Sequence, residues 1–468
     1  MSLIQPKSTY ESDAEHPYHL GTEGPTYPRV LIVVMGRINT ADASNNGLLL
    51  RNLFAEWLRE NTAQIFSSGE NGDQGFFGRY YKLGSQECRL GKLFYRLKMK
   101  AQAGEGPDLR AMPSMPKPRP RPFKTLLNSL LVDSGLYEVL FKPRISAELL
   151  AWAQAFKPDL IFSQGYSLRF AWLPVMLAQR LSVPIAYYPT DDWPSEAYRA
   201  NIRFPCLARF MSRVVTRSAG ALVEQAALRL AFNPYMKQEY SKRYQRDFSV
   251  LMHGDDKDRF EAVRPRRLAE PDEHWIVTTG IFNENRKPLL DDLDQACTLL
   301  NERGLKVKAT VFPVGVLSDR GRDGEPYRHL RFAPCPSHEE LPALLRGADI
   351  LFLPERFDKS AEGISLSIST KAHLFMFSGK PIVVYSAPST GIARYAREEC
   401  WAALVDHRDP CLLAEAISRL IVDGDHRQSL IANAGSTADR NHGLGYIRSE
   451  FRNRLASVCI GQRASEKQ

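Results

Sequence analysis

The chain lacks the cysteine pattern of a disulfide framework or of a zinc site. Its seven cysteines are scattered over 468 residues, and no two of them form a CxxC pair. Disulfide-rich domains and zinc sites both need cysteines at paired or short spacings. We therefore expect reduced core thiols and no metal site.

A membrane-spanning segment and a signal peptide are also missing from the sequence. No run reaches the roughly 18 consecutive apolar residues that a spanning helix requires. Residues 1–27 are polar and acidic, without the basic and apolar regions of a signal peptide. We therefore expect a cytoplasmic protein.

The common nucleotide-binding loops are incomplete or absent. Neither half contains a full G-x-G-x-x-G with an acidic residue about 20 positions later, which argues against a dinucleotide-dependent dehydrogenase. No Walker A loop is present. The net charge of +9 favours an anionic partner. Since the signatures of nucleic-acid-binding modules are missing, we expect no nucleic-acid partner.

The sequence does have the length and composition of a two-domain globular protein. Hydrophobic residues make up 44% and charged residues 25% of the chain, and 468 residues are too many for one ordinary core. Two successive series of buried-strand and helix patterns predict an α/β fold. We expect two Rossmann-like domains that face each other across a cleft. The predicted parts are a polar tail (1–27), an N-terminal domain (28–256), a linker (257–272), a C-terminal domain (273–440) and a last helix (441–468) that returns to the N-terminal domain.

The first series opens with a buried-strand pattern at residues 30–35, a polar loop over residues 36–47 and a helical pattern. Further strands are predicted at 157–162, 183–188 and 220–223. Helices are predicted over residues 168–181 and 205–218, the second of them before the last of these strands. Ligands of parallel α/β domains bind at the carboxyl ends of the strands.

Two loops of the first series lie at the carboxyl ends of predicted strands. Backbone amides at Asn46 and Gly47 are candidates to reach a bound phosphate, with a plain strand-to-helix turn as the alternative. Asp191 and Asp192 follow another strand, and one of them is a candidate to orient or deprotonate an acceptor hydroxyl. The alternative is a helix cap before Pro194.

In the second series, residues 275–279 form a predicted strand that leads into a loop with adjacent cations. The other predicted strands are 307–312, 350–353 and 381–385. The main predicted helices are 289–303, 339–346, 371–378 and 412–422, followed by 425–434 and 445–460.

Residues 367–384 resemble the donor-binding signature of GT-B glycosyltransferases of the bacterial type, most closely the large retaining family four. Residues 280–287 and 336–355 are similar to that family too. The resemblance is strong over residues 275–455 and weaker in the N-terminal half. It implies a metal-independent, hexosyl-type enzyme without a cofactor that takes a sugar from a UDP- or GDP-sugar with retention.

The residues themselves suit that chemistry. The leaving diphosphate gains negative charge, which an enzyme without a metal must stabilise with cations and amide donors. Arg286 and Lys287 are the candidate catalytic cations. Ser369, Thr370 and Lys371 stand before a predicted helix, where hydroxyls can cap the helix and phosphate can bind. The remaining candidate donor-binding residues are Gly280, Asn283 and Glu355, the last at the end of a predicted strand.

The sequence departs from the family at Leu374, where the resemblance implies a glutamate. This leaves two functions open. One is sugar transfer to a glycan or lipid-linked acceptor in the synthesis of cell-surface polysaccharide or glycoconjugates. The other is a catalytically silent protein that binds a nucleotide sugar or glycan.

A basic segment interrupts the first series at residues 89–124. It contains ten basic and two acidic residues. Attraction to anionic lipid would place the protein peripherally on the inner face of the cytoplasmic membrane and would suit a lipid-linked acceptor. The alternative is a solvated basic loop.

Overall fold

The computed structural model describes residues 27–40, 44–69, 75–89, 134–196, 205–283, 286–314 and 326–465. The chain divides into two compact units. The first unit contains Pro25–Leu251 and Glu450–Gln468, and the second contains Met252–Ser449. Except for Arg89, the basic segment lies outside the described residues, as does the tail up to residue 26.

The first unit is built on a parallel sheet of seven strands. In chain order they are Val30–Val33 (β1), Thr62–Phe66 (β2), Arg79–Lys82 (β3), Leu160–Ser163 (β4), Ile185–Tyr187 (β5), Ala226–Ala231 (β6) and Ser249–Val250 (β7). Their order in the sheet is β3-β2-β1-β4-β5-β6-β7. All residues of β1, β2 and β4 are buried, as expected of strands that are covered on both faces.

Three helices of the first unit begin where serine side chains cap them. Ser44 caps its helix through Gly47, Ser146 through Leu149 and Ser167 through Phe170. The described helices are Asn45–Phe54, Leu136–Leu140, Ala147–Phe156, Leu168–Leu181, Trp193–Glu196, Pro205–Gln225 and Pro234–Tyr244, with 3-10 turns at Arg59–Asn61 and Ser85–Glu87.

The predicted strand at residues 220–223 is wrong. These residues belong to the long helix Pro205–Gln225, and the strand β6 begins directly after it. Met211, Val215 and Leu222 are buried on one stripe of this helix, a spacing that follows the helical period.

The last helix, Leu444–Ser465, belongs to both units, since its part from Glu450 onward lies in the first. Phe451 is fully buried there, with its ring 5.1 Å from that of Phe54 and 5.7 Å from those of Trp57 and Phe162. Arg454 donates to the Val250 carbonyl at 2.8 Å. The end of the chain thus completes the core of the first unit.

The second unit contains a parallel sheet of six strands. They are His274–Gly280 (β8), Val307–Pro313 (β9), Leu330–Phe332 (β10), Ile350–Pro354 (β11), Ile382–Tyr385 (β12) and Ala403–Val405 (β13). The order β10-β9-β8-β11-β12-β13 repeats that of the first six strands of the first sheet. Each unit is therefore Rossmann-like, which confirms the predicted fold class.

The helices of the second unit cover the sheet and carry the loops at its edge. The described ones are Asp258–Glu261, Lys287–Glu302, Leu341–Gly347, Lys371–Phe377, Gly391–Glu399, Pro410–Val422 and Gly424–Asn441, with the 3-10 helix Lys359–Ile364. Residues 257–272, the predicted linker, lie within this unit. Arg266 donates its amide to the Ala343 carbonyl at 2.8 Å.

Candidate functional site

The second sheet has its topological switch point between β8 and β11. From β8 the chain continues to β9 on one side, and from β11 it continues to β12 on the other. Loops at the carboxyl ends of such a strand pair diverge and leave a crevice, where α/β proteins bind ligands. β8 ends at Gly280, and Glu355 follows the last residue of β11. The topology therefore brings the loop after Gly280 and the Glu355 side chain to the same edge of the sheet.

Arg286 and Glu355 form an ion pair at this edge. Glu355 is only 4% exposed, and its amide donates to the Tyr385 carbonyl at 2.9 Å. Arg286 also donates to the Ile281 carbonyl at 3.4 Å. Because a buried carboxylate needs a partner, the pair fixes the guanidinium in position.

The end of the Lys371 side chain lies next to Gly280. A Cβ atom added to Gly280 would stand 2.8 Å from Lys371 Nζ, and the φ of Gly280 is +137°, a conformation open to glycine. Burial lowers the pKa of the Lys371 ammonium, Glu355 raises it and Arg286 lowers it. Two cations thus share one carboxylate in a desolvated place, and the surplus positive charge suits a phosphate.

Asn283 and Lys287 mark the start of the helix Lys287–Glu302. The Asn283 carbonyl accepts the amides of Arg286 at 3.0 Å and of Lys287 at 2.8 Å. Lys287 is half-buried, and its ammonium forms no ion pair with any carboxylate in the described ranges. The structure therefore places both predicted residues beside Arg286, with Lys287 available for a ligand.

Ser369 and Thr370 precede the helix Lys371–Phe377. Thr370 has helical backbone angles and its side chain makes no capping hydrogen bond, so the predicted hydroxyl cap is wrong at this position. The Ser369 carbonyl accepts the Ala372 amide at 3.0 Å. Leu374 lies within the helix. The carboxylate that influences Lys371 is therefore Glu355 rather than a residue at position 374.

In the first unit, Asn46 and Gly47 form hydrogen bonds with different parts of the structure. Gln164 directly follows β4 and donates to Asn46 Oδ1 at 2.7 Å, next to the switch point between β1 and β4. The Gly47 amide donates to Ser44 Oγ at 3.0 Å. That amide therefore serves the helix cap, whereas the Asn46 side chain reaches the switch point.

Asp191 and Asp192 also have different surroundings. Both Asp192 oxygens accept from Arg243, at 2.7 and 2.9 Å, and Tyr240 donates to one of them at 3.0 Å. Asp191 reaches solvent and pairs with no cation among the residues that the structure describes. The protein around it nevertheless desolvates the Asp191 carboxyl enough to raise its pKa. Asp192 thus supports the fold, whereas the Asp191 carboxylate is accessible to solvent.

Three side chains of this region escaped the sequence analysis. Gln164 stands at the end of a predicted strand, a position that could have drawn attention to it. Tyr166 accepts the Thr190 amide at 2.8 Å, beside Asp191. Arg243 is 51 residues from its partner Asp192, and nothing in the local sequence indicates that pair.

Within the described ranges, none of the helices combines the length and apolar character needed to cross a bilayer. The same ranges hold no group of three or more His, Cys, Asp or Glu side chains that could bind a metal ion.

No family model matches the chain. D-inositol 3-phosphate glycosyltransferase of Salinispora arenicola is 28% identical over 193 residues, which is 38% of this chain and 40% of that protein. The namesake from Salinispora tropica is 27% identical over 193 residues, or 38% of each chain. The chain thus spans about two fifths of the length of the curated relatives that it matches.

Solved structures resemble the protein over nearly its full length. Anabaena HepE in complex with UDP has a TM-score of 0.56 and 14% identity, over 92% of this chain and 100% of that one. The α,α-trehalose 6-phosphate synthase of Burkholderia multivorans has a TM-score of 0.58 and 14% identity, over 94% and 99%. The comparisons confirm the predicted resemblance to GT-B glycosyltransferases and show a fold of two Rossmann-like domains.

Proposed function

We propose that the protein is a glycosyltransferase that binds a nucleotide-sugar donor at the switch point of its second unit. The observation that carries this proposal is the meeting of Arg286, Glu355 and Lys371 at the carboxyl ends of β8 and β11. One carboxylate and two cations leave a surplus positive charge in a desolvated place. A diphosphate is the anion that we propose for that place, and UDP, the ligand in the HepE structure, carries one.

The reaction breaks the bond between the anomeric carbon and the diphosphate oxygen. Its electron pair stays with the leaving group, so negative charge grows on the outer phosphate. Arg286 and Lys371 would stabilise that charge, and removing one such donor typically lowers kcat by about 10² to 10³. Lys287 and the loop at Asn283 would contact the same diphosphate, with Ser369 and Thr370 at its other side.

Glu355 acts in this proposal as a positioning residue for Arg286. It is almost fully buried and ion-paired, so it holds the guanidinium without an entropic cost at the moment of binding. Its place beside Lys371 also supplies a carboxylate to a site that has Leu374 where the resemblance implies glutamate. This favours a working enzyme over a catalytically silent binding protein.

Asp191 is the residue that we assign to the acceptor. Its raised pKa and exposure suit a group that orients a sugar hydroxyl. With retention, the leaving phosphate itself would take the proton of that hydroxyl, and Asp191 would only hold the acceptor. Asn46 would contribute a further polar contact at the switch point of the same unit.

The proposed donor, acceptor and location rest on the similar proteins and on the positive charge of the site and of residues 89–124. A UDP- or GDP-linked hexose is the proposed donor, because the HepE structure holds UDP. The cations of the site would serve in place of a metal. The proposed acceptor is a glycan or lipid-linked glycan in a cell-surface pathway, reached from the cytoplasm. The basic residues 89–124 would hold the protein at an anionic membrane.

Two measurements test this function. Titration calorimetry with UDP, GDP and ADP, and with their glucose or mannose derivatives, should find one nucleotide bound in the micromolar range. Arg286→Ala should abolish that binding. Slow hydrolysis of the bound nucleotide sugar, with retention at the anomeric carbon, would identify an enzyme. Binding without any turnover would indicate the silent protein, and the absence of binding would overturn the site.

A further inference from the structure

Three buried histidines meet in the second unit, and one of them lies on the helix of Lys371, a member of the charged cluster of Arg286, Glu355 and Lys371. The rings of His253 and His373 are 4.7 Å apart at 70°, and those of His373 and His442 are 5.6 Å apart and stacked. Each of the three residues is at most 9% exposed. Three adjacent, buried imidazole rings form a core cluster that protonation would charge.

This cluster lies where both chain connections leave the unit. His253 is the second residue of the unit, and the connection through Leu444–Ser465 leaves it after Ser449. The two segments are joined by backbone hydrogen bonds from Asp255 to the His442 carbonyl (3.1 Å) and from Leu444 to the Asp255 carbonyl (3.2 Å). They also approach closely, since a Cβ atom on Gly254 would stand 2.3 Å from the His442 oxygen.

The hydrogen bonds of His442 determine its tautomer. Its Nδ1 lies 2.6 Å from the His253 carbonyl oxygen, which can only accept, so Nδ1 carries the hydrogen. Its Nε2 lies 3.0 Å from the Tyr395 hydroxyl, and Tyr395 accepts from Asn441 at 3.0 Å. The neutral ring satisfies this chain of bonds with Nε2 as acceptor. A protonated ring would turn a donor toward Tyr395 and force that hydroxyl to reorient.

The groups that face the cluster offset a positive charge only in part, since Asp255 raises the pKa of His253 less than burial lowers it. The Asp255 carboxylate is the anion beside His253, but Arg259 holds both of its oxygens, at 2.6 and 2.7 Å. The other charged or titratable groups that face the rings are Arg259 itself, His338 and the Tyr395 hydroxyl. Burial lowers the pKa of His253 and of His442 to about 4, and it lowers that of His373 well below its usual range.

His373 connects this cluster to the charged site. It lies in the helix Lys371–Phe377, two residues after Lys371, and its ring contacts both His253 and His442. A displacement of this short helix would therefore move Lys371 away from Gly280.

We propose that His253, His373 and His442 are positioning residues that hold the helix of Lys371 against the two chain connections only while all three rings are uncharged. Acid would then weaken donor binding by releasing the helix and moving Lys371, without protonating any group that touches the donor. The proposal rests on the function proposed for Lys371.

The test compares full-length wild type with His373→Phe, which keeps an aromatic ring that cannot ionise. The matched control is His407→Gln, since the side chain of His407 is 79% exposed in the same unit. UDP-glucose is the calorimetric probe, because its diphosphate diester does not titrate between pH 5 and 8. Wild type and His407→Gln should lose about tenfold or more in affinity between pH 7.5 and 5, whereas His373→Phe, which has one ionisable ring fewer, should lose at least about threefold less than wild type. An equal loss in His373→Phe would overturn the proposal.

A second measurement on wild type works even if UDP-glucose fails to bind, or if His373→Phe fails to fold. Amide hydrogen exchange, corrected for the intrinsic effect of pH, should speed up about tenfold in residues 371–377 and 442–447 between pH 7.5 and 5. The strands β8 and β9 should keep their protection. Unchanged protection in both segments would refute the histidine proposal by itself, whereas absence of nucleotide binding with normal acid opening would refute only the donor site.

Discussion

Replacing Lys371 by methionine distinguishes a lysine that binds phosphate from one that only supports the fold. Methionine keeps most of the length and removes the charge. The loss of one charged hydrogen bond to a buried phosphate costs about 1.5 to 3 kcal/mol. Since about 1.4 kcal/mol is tenfold in a dissociation constant, the Kd for the nucleotide should rise by about 10- to 150-fold.

Although the Lys371→Met variant should bind the nucleotide more weakly, its stability without ligand should not fall. Burial lowers the pKa of Lys371, so the unfolded chain binds this proton more tightly than the folded chain. The free energy of unfolding therefore rises with pH up to the unfolded-state pKa of about 10.4. Methionine removes this penalty and leaves the pair of Arg286 and Glu355 balanced. We expect an unchanged or higher Tm without ligand and a smaller rise of stability with pH.

The matched control is Lys380→Met. Burial lowers the pKa of Lys380 too, but this lysine lies two residues before the start of β12 at Ile382 and is not part of the cluster of Arg286, Glu355 and Lys371. Calorimetry should find unchanged nucleotide affinity in this variant, and differential scanning calorimetry should give both Tm values. A Lys371→Met protein that binds nucleotide normally, or that melts earlier than wild type while Lys380→Met does not, would refute the assignment of Lys371.

Further variants test other parts of the structure. Gly280→Ala introduces a Cβ atom 2.8 Å from Lys371 Nζ at a φ of +137°, so calorimetry should show a Kd at least about tenfold higher, and urea unfolding a loss of about 1 to 3 kcal/mol. Asp192→Asn weakens the pair with Arg243 and should lower unfolding free energy by about 1 to 3 kcal/mol; Asp191→Asn should stay within about 0.5 kcal/mol of wild type but slow sugar transfer, and the reverse pattern would exchange their roles. In acid, the folded-state pKa of about 4 for His253 and His442 lies below the unfolded value of about 6.5, so unfolding free energy should fall from pH 6.5 to 4 by up to about 1.4 kcal/mol per pH unit for each histidine and then level off. A flat urea profile over that range would contradict their burial as neutral rings.

The buried strands of the second unit could be predicted because their sequence pattern is local. Strands β8, β9, β11 and β12 are short apolar runs that end at polar loops, and each was predicted within a residue or two. The helix Leu168–Leu181 has the predicted bounds. Such elements carry their own signal, since burial on both faces demands a continuous apolar run.

Strands with polar residues could not be predicted in this way. Strand β2 buries Gln64, whose side chain donates to the Gly36 carbonyl at 2.6 Å and accepts from the Ile38 amide at 3.1 Å. Only the neighbouring loop makes a buried glutamine acceptable there. The edge strand β3 is largely half-buried, and two of its four residues, Arg79 and Lys82, are charged, so no apolar run indicates it.

The candidate site, like the fold, could be predicted from the sequence only in part. Sequence patterns placed Arg286, Glu355 and Lys371 at the ends of predicted strands or the start of a helix. They could not show that Glu355 pairs with Arg286, which is 69 residues away, or that Lys371 lies over Gly280. Those contacts arise from the parallel order of β8 and β11, which only the folded sheet defines.

The burial of Phe451 among Phe54, Trp57 and Phe162 has a consequence for synthesis of the chain. The first segment of the first unit, which contains these three aromatic residues, ends at Leu251. Phe451 follows 200 positions later, so it leaves the ribosome long after they do. At about 5 to 20 residues per second, the delay is about 10 to 40 seconds. During that interval the nascent first unit exposes the apolar surface that Phe451 later covers. The growing polypeptide is therefore a candidate client for ribosome-associated chaperones until its last helix emerges.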